Sequence, residues 1–248
     1  MSSPPRPLQQ TGTGAAEQLR LLGEGRLRSL GLLPAASNYT FLVEVSDGGS
    51  RALAVYKPRR GEVPLWDFPE GTLCRREVAA YLLSEALGWP PVPPTVLRRG
   101  PHGEGSVQLF VQADPRHHFF TLRGRRLDAF LPVAAFDVVA NNADRKSGHC
   151  LLATDGTIWS IDHGVCFSEE PKLRTVIWDF AGSPLPDWIR DDLRRVTREL
   201  RSGRLRTSLL DLLSEREVDA TARRASALAR SGTCPFPGGH RSYPWPPV

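Results

Sequence analysis

The sequence predicts an α+β protein, with a β-rich first half followed by a mainly helical second half. Three observations carry this. Two short apolar segments of strand character, 39–45 and 52–56, flank a turn made of Ser46, Asp47, Gly48, Gly49 and Ser50. Segments of helical character follow at 73–87, 127–141 and 187–201. Between the last two lie a polar loop and a pair of short β segments, so the second half is not a plain helical bundle.

Each element has a local reason. Residues 1–14 are expected to form a disordered tail, polar and proline-rich at its start, with a helix over 15–22. From Arg26 the pattern turns to short β-rich segments, and the strand after the Ser46–Ser50 turn ends at Lys57 and Pro58. Residues 59–71 hold two prolines and two glycines and read as loop. The helix at 73–87 is closed by Gly88, the residue type a helix C-terminus favours. Short strands at 95–98 and 107–111 complete a sheet with one helix. After the helix at 127–141, strands at 149–153 and 157–161 are joined by Thr154, Asp155 and Gly156. Ser214 and Glu217 form a capping-box pattern that opens a last helix to about 230. Residues 234–248 are rich in proline, glycine and aromatics; no regular element is expected there, and Phe236, Tyr243 and Trp245 are candidates to pack on the body. The expected organisation is a tail to 14, a first unit over 15–112, a second over 113–230, and a tail over 231–248.

Composition narrows the function classes. At 248 residues, with 40% hydrophobic and 24% charged residues, the chain reads as an ordinary soluble globular protein. No apolar run reaches the length of a membrane span, and the N-terminus lacks the apolar core of a secretory signal, so a cytoplasmic location is expected. Cys74, Cys150, Cys166 and Cys234 lack CxxC spacing, which argues against a zinc site or a disulfide framework. The net charge of +5 comes from dispersed arginines without interleaved aromatics, and no nucleic-acid partner is expected. Lysine occurs only at positions 57, 146 and 172, which singles those positions out.

Three motifs carry candidate chemistry. Lys57 ends an apolar strand, where its ammonium needs an anion. Glu77, at the edge of the next helix's apolar face near Ala80, Tyr81 and Ser84, is the natural partner, although two solvated charges would fit equally well. The second motif follows the helix at 127–141. Asp144, Lys146 and His149 reproduce the protein-kinase spacing of a carboxylate, a lysine two residues on and a metal-binding residue five residues on, with His149 in place of Asn. The third is Asp162, followed by His163 and Gly164 at the end of a strand, where such enzymes place a metal-binding Asp before a sharp turn. Each motif alone is common; all three in this order are not.

The order and the residues resemble a known group. Ser37 to Phe41, Val55 to Pro58, the 105–111 stretch, Asn142 to Arg145 and Ile161 to Gly164 resemble the corresponding loops and strands of type II phosphatidylinositol 4-kinases. From Ser37 to about Gly182, roughly three fifths of the chain, the sequence is also similar to an actinobacterial phosphatidylinositol 3-/4-kinase-like family of the HipA-like, protein-kinase-like superfamily. Its signature residues include Tyr56 to Glu62, Pro64 to Pro69 and Lys172 to Thr175. The resemblance implies a bilobal protein-kinase-like fold with an ATP cleft between a β-rich N-lobe and a mainly helical C-lobe. It implies that Ser37 and Asn38 lie over the nucleotide phosphates, that Lys57 holds them and pairs with Glu77, and that the backbone of Leu109 to Val111 meets adenine. Asp144 would be the base, Lys146 would steady the transferred phosphate, and His149 and Asp162 would bind Mg²⁺ or Mn²⁺.

The function expected on these grounds is an ATP-dependent phosphotransferase acting on a protein or small-molecule hydroxyl. A lipid acceptor is disfavoured, because no amphipathic or lipidated anchor is visible. The alternatives are a pseudokinase that binds nucleotide without transfer, to which His149 lends weight because imidazole suits transition metals better than Mg²⁺, and a nucleotide transferase on the same fold. The loop at 64–69, with Trp66 and Phe68, reads equally as a substrate or partner contact and as packing between lobes.

Overall fold

The computed structural model describes residues 13–33, 38–239 and 241–248. The first half holds helix α1 (Thr13–Glu24), strands β1 (Arg26–Leu32), β2 (Phe41–Ser46) and β3 (Arg51–Pro58), helix α2 (Leu73–Leu87), and strands β4 (Thr95–Gly100) and β5 (Gly103–Leu109). The strands form one antiparallel sheet in the order β1-β2-β3-β5-β4. Side chains alternate across a strand, so Lys57 must face away from Tyr56. Tyr56, Ala54, Val43, Val45 and Val107 pack with Leu21 and Leu22 of α1 in one core. The opposite face, bearing Lys57, is turned to α2. Gly105 lets β5 approach closely here: a Cβ would lie 2.4 Å from Lys57 O and 2.7 Å from Pro58 Cα.

The second half holds α3 (Phe119–Arg126), α4 (Leu131–Ala140), a hairpin of β6 (Cys150–Leu152) and β7 (Ile158–Ser160), and helices α5 (Asp187–Ser202), α6 (Arg204–Leu210) and α7 (Glu215–Ser231). Its core joins α2 to α4, α5 and α7 through Leu83, Leu87, Phe136, Val139, Leu193 and Leu228, among others. Trp89, just after α2, is buried there and donates through Nε1 to Asp192 of α5 (3.1 Å). Thus α2 packs against both halves, and anything it carries sits between them.

Several expectations are met closely. Gly88 caps α2 at φ +82° and donates to Ser84 O. Ser214 and Glu217 form the capping box of α7. Others need correction. The helix expected at 127–141 begins as a 3-10 turn, Leu127–Phe130, and becomes α-helical only around Pro132, which has no N–H to bond back into the preceding turn. The strand expected at 107–111 lies at Gly103–Leu109. Helices α3 and α6 were not anticipated; α3 carries Gly124, a poor helix former, and α6 is only two turns long. In the C-terminal tail Tyr243 and Trp245 are exposed, Trp245 at 88%, and do not pack as expected, while Phe236 lays its ring over Gly182 with its outer side exposed. Among the described residues, no helix is long and apolar enough to cross a membrane.

Candidate active site

Lys57 leaves the end of β3 between two carboxylates from distant parts of the chain. Its Nζ pairs with Glu77 Oε1 of α2 and with Asp162 Oδ1 (2.9 Å), just beyond β7. The His163 backbone N–H donates to Glu77 Oε2 (3.0 Å), so one carboxylate clamps the strand lysine and the 162–164 turn together. The ion pair expected between Lys57 and Glu77 is present. The burial of its members differs: Glu77 is 2% exposed, Lys57 23% and Asp162 48%. Burial raises the Glu77 pKa against the pull of Lys57. Burial opposes the Lys57 charge, but Asp162 and Glu77 outweigh it and raise the lysine's pKa. The Lys57 ammonium holds Asp162 well below the usual carboxylate range. Asp162 itself sits at φ +61°, a left-handed conformation uncommon for Asp, which turns the chain sharply here.

The loop after α4 is built around a residue that sequence reading passed over. Arg145 is fully buried, and its guanidinium forks onto Asp137 of α4 (2.9 Å Nε to Oδ2; 2.8 Å Nη2 to Oδ1). Its Nη1 donates to Ile161 O (2.8 Å) and its Nη2 reaches His163 Nε2 (2.8 Å). One guanidinium therefore ties α4, the 142–149 loop and the 161–163 turn into a unit. Asn142 Nδ2 also donates to Asp137. The available signal was Asp137 itself, the one charge in the otherwise apolar α4. A second buried pair, Arg76 with Glu217 (2.5 Å), fixes α2 to α7, while Arg76 Nη1 donates to Cys166 O (2.7 Å).

With that scaffold in place, Asp144 and Lys146 project into the same space as Asp162. Asp144 N–H donates to Asn142 Oδ1 (3.0 Å), and its carboxylate lies 3.5 Å from Lys146 Nζ. Burial pushes the Asp144 carboxyl up to about 6, with Lys146 opposing and Asp162 adding to the rise. His149 ends the 3-10 turn Ser147–His149 and places Nε2 3.3 Å from Asp162 Oδ2. The structure thus brings together Lys57, Glu77, Asp144, Lys146, His149 and Asp162, contributed by one strand, one helix and two loops.

The arrangement of His149 differs from that expected of a metal ligand. Its Nδ1 accepts the Lys146 backbone N–H (3.3 Å), and burial lowers its pKa to about 4, so the ring is neutral at neutral pH. A neutral ring with Nδ1 as acceptor carries its proton on Nε2, the atom facing Asp162. As placed, His149 turns Nε2 towards Asp162 Oδ2 at 3.3 Å, with a ring proton and not a lone pair on that side. Among the described residues, no cluster of three or more His, Cys, Asp or Glu side chains could hold a metal. Asp162, ionised and half-exposed, has the chemistry to hold a hard divalent cation; His149 in this tautomer does not.

The remaining expected positions divide. Ser37 lies outside the described residues. Asn38 Oδ1 accepts the Val63 N–H (2.7 Å), which ties it to the 62–71 loop. The Leu109 N–H is bonded to Pro94 O and the Phe110 N–H to Leu53 O. Of the 109–111 stretch, only the Val111 N–H, beyond the end of β5, keeps no protein partner among the described residues. Lys172, the third lysine, is occupied by Asp67 (2.9 Å) and lies over the rings of Trp66 and Phe68; it anchors the 64–69 loop. Phe68 in turn packs with Leu73 and Ala143, the neighbour of Asp144. A cavity of about 570 Å³ opens beside this loop, lined by Arg59, Arg60, Leu65 and Phe68, among others, but by none of the residues around Asp162.

A sheet carrying a lysine, a helix carrying its glutamate, and a helical half carrying two acidic loops define a protein-kinase-like fold. A solved structure of the Golgi casein kinase with Mn/ADP bound matches at a TM-score of 0.56, covering 87% of this chain and 74% of its own, at 14% identity. The chain belongs to the family of Protein Rv2133c of Mycobacterium tuberculosis: the two are 40% identical over 262 residues, which covers 91% of this chain and 94% of that protein. Phosphatidylinositol 4-kinase gamma 4 of Oryza sativa subsp. japonica is 34% identical over 128 residues, which is 44% of this chain but only 22% of that longer protein. No family model matches the chain.

Proposed function

We propose that the chain is an ATP-dependent phosphotransferase acting on a hydroxyl of a protein or small molecule. The observation that carries this is the Lys57 ammonium held between Glu77 and Asp162, with a carboxyl of raised pKa, Asp144, beside Lys146. The Mn/ADP named with the Golgi casein kinase structure supports the choice of nucleotide and metal.

In this reading the nucleotide lies where two units of the chain meet, near residue 112. The Val111 N–H meets the adenine edge, and Asn38 lies towards the phosphates. Lys57 exchanges its bond to Asp162 for nucleotide phosphate oxygens, with Glu77 keeping the ammonium aimed. Asp162 would hold Mg²⁺ or Mn²⁺, which would supply neutralisation of phosphate charge. Asp144 accepts the proton of the acceptor hydroxyl as that oxygen bonds to the terminal phosphorus, and ADP leaves with the electrons of the broken P–O bond. Lys146 offsets charge on the transferred group.

A second reading, a nucleotide-binding module without transfer, is favoured by one observation: His149 accepts at Nδ1 and turns Nε2, the protonated nitrogen of that tautomer, to Asp162, where kinase-like enzymes need a second metal ligand. Thermal denaturation with ATP and either metal tests the shared part. At about a hundred times the dissociation constant, ATP should stabilise the fold by about 2.7 kcal/mol. Absence of any shift with ATP, with or without metal, would rule out both readings. ATP turnover with hydroxyl acceptors then separates them.

A further inference from the structure

The last eight residues, 241–248, form no helix or strand, yet two of their carbonyls satisfy three donors that frame Asp144. Pro247 O accepts the Ser147 N–H (2.9 Å). Ser242 O accepts both the Thr175 N–H (3.0 Å) and the Trp178 indole N–H (3.0 Å). Ser147 opens the 3-10 turn that separates Lys146 from His149. Thr175 belongs to a strip that pairs with the loop from the other side: Arg145 N–H donates to Arg174 O, and Val176 N–H to Arg145 O. The 144–149 loop therefore lies against the 174–176 strip, and the tail crosses both.

The contact is of a kind that holds backbone in place. Ser147, Thr175 and Ser242 are all buried, so their N–H and C=O groups have little recourse to water if the tail leaves. The prolines suit the tail to offer carbonyls with few donors of its own to satisfy. Pro244, Pro246 and Pro247 have no N–H to satisfy and lose little conformational freedom on being ordered. Its rings do not explain the attachment, since Tyr243 and Trp245 face outward.

We infer that residues 241–248 are a strap that positions the 144–149 loop, setting Lys146 and His149 relative to Asp162. The strap makes no hydrogen bond or ion pair with Lys57, Glu77 or Val111, so it acts on transfer and leaves nucleotide binding to β3 and α2. This rests on the phosphotransferase reading for its kinetic consequence, while its structural part stands independently.

The test compares the full chain with a variant ending at His240 and, separately, with Trp178→Phe, which deletes one donor and keeps an aromatic ring. Amide hydrogen exchange is measured at Ser147 and Thr175, together with turnover at saturating ATP and the ATP dissociation constant. The truncation should speed exchange at both amides and lower turnover by about tenfold or more, with the ATP dissociation constant changed by less than about threefold. Trp178→Phe should move turnover and Thr175 exchange in the same direction by a smaller factor, which keeps the proposal testable if the truncated chain does not fold. Unchanged exchange at Ser147 and Thr175 would overturn the strap. So would equal or faster turnover without residues 241–248, the latter marking the tail as an inhibitor. If the full chain binds ATP but transfers nothing, the phosphotransferase reading fails, and exchange alone decides the strap.

Discussion

Two charge centres lie next to each other in this molecule and differ in what surrounds them. Asp137 and Arg145 are both fully buried, and the guanidinium is saturated by a carboxylate, two carbonyls and an imidazole. Lys57, Glu77 and Asp162 share their charge across a gradient, from a buried Glu77 to a half-exposed Asp162. The first centre has no open side and can only hold structure. The second has one carboxylate that reaches solvent, so its partners can be exchanged for a ligand at modest cost. A buried ion pair next to a site is thus no sign of chemistry in itself; an ion pair with one open end is.

The comparison is easiest to break at the closed centre. Asp137→Ala leaves the Arg145 guanidinium buried without its carboxylate, and the fold should lose about 3–5 kcal/mol in urea unfolding. A loss below about 1 kcal/mol would show that water or another group reaches Arg145, and the contrast between the centres would collapse. At the open centre the order reverses. Lys57→Ala and Asp162→Ala should each abolish the metal-dependent stabilisation by ATP, about 2.7 kcal/mol at a hundredfold excess over the dissociation constant, and leave a cooperative fold. Wild-type ATP stabilisation in both variants would place the nucleotide elsewhere.

Acidity sharpens the picture further. Asp144 must be ionised to accept a proton, and burial raises its pKa to about 6. Turnover should therefore be full above that value and fall as pH drops through it, by about tenfold per unit at the acid end. A pH profile flat from 5 to 8 would remove Asp144 as the base. The smallest effect is expected at His149. If it donates a hydrogen bond to Asp162, His149→Asn should cost about 1 kcal/mol, a few-fold in turnover, with no change in the ratio of Mn²⁺ to Mg²⁺ activity. A shift of that ratio by tenfold or more would restore His149 as a metal ligand.

Much of the fold was legible because its signals are local. Helix α2 and its Gly88 cap, the hairpin of β2 and β3, and the capping box at Ser214 and Glu217 depend on residues within a turn or two of one another. Helices α3 and α6 escaped because Gly124 weakens one and shortness the other, and packing against the body overrides weak propensity. The gathering of Lys57, Glu77, Asp144, Lys146 and Asp162 was anticipated from order and spacing along a resemblance. The partner of Lys172 was not: Asp67 lies 105 residues away, and no motif spacing links the two.

By itself the sequence determined most of the elements and their order, and on which face of β3 the lysine must lie, since strand alternation leaves only one face opposite Tyr56. Only the tertiary structure decided which charges are closed and which are open. It made Arg145 a buried hub, turned Lys172 into an anchor, gave His149 a proton facing Asp162, and laid the tail across the 144–149 loop. The physical reason is that a side chain's charge, tautomer and availability are set by burial and by hydrogen-bond partners, and those arrive from segments far apart in the chain.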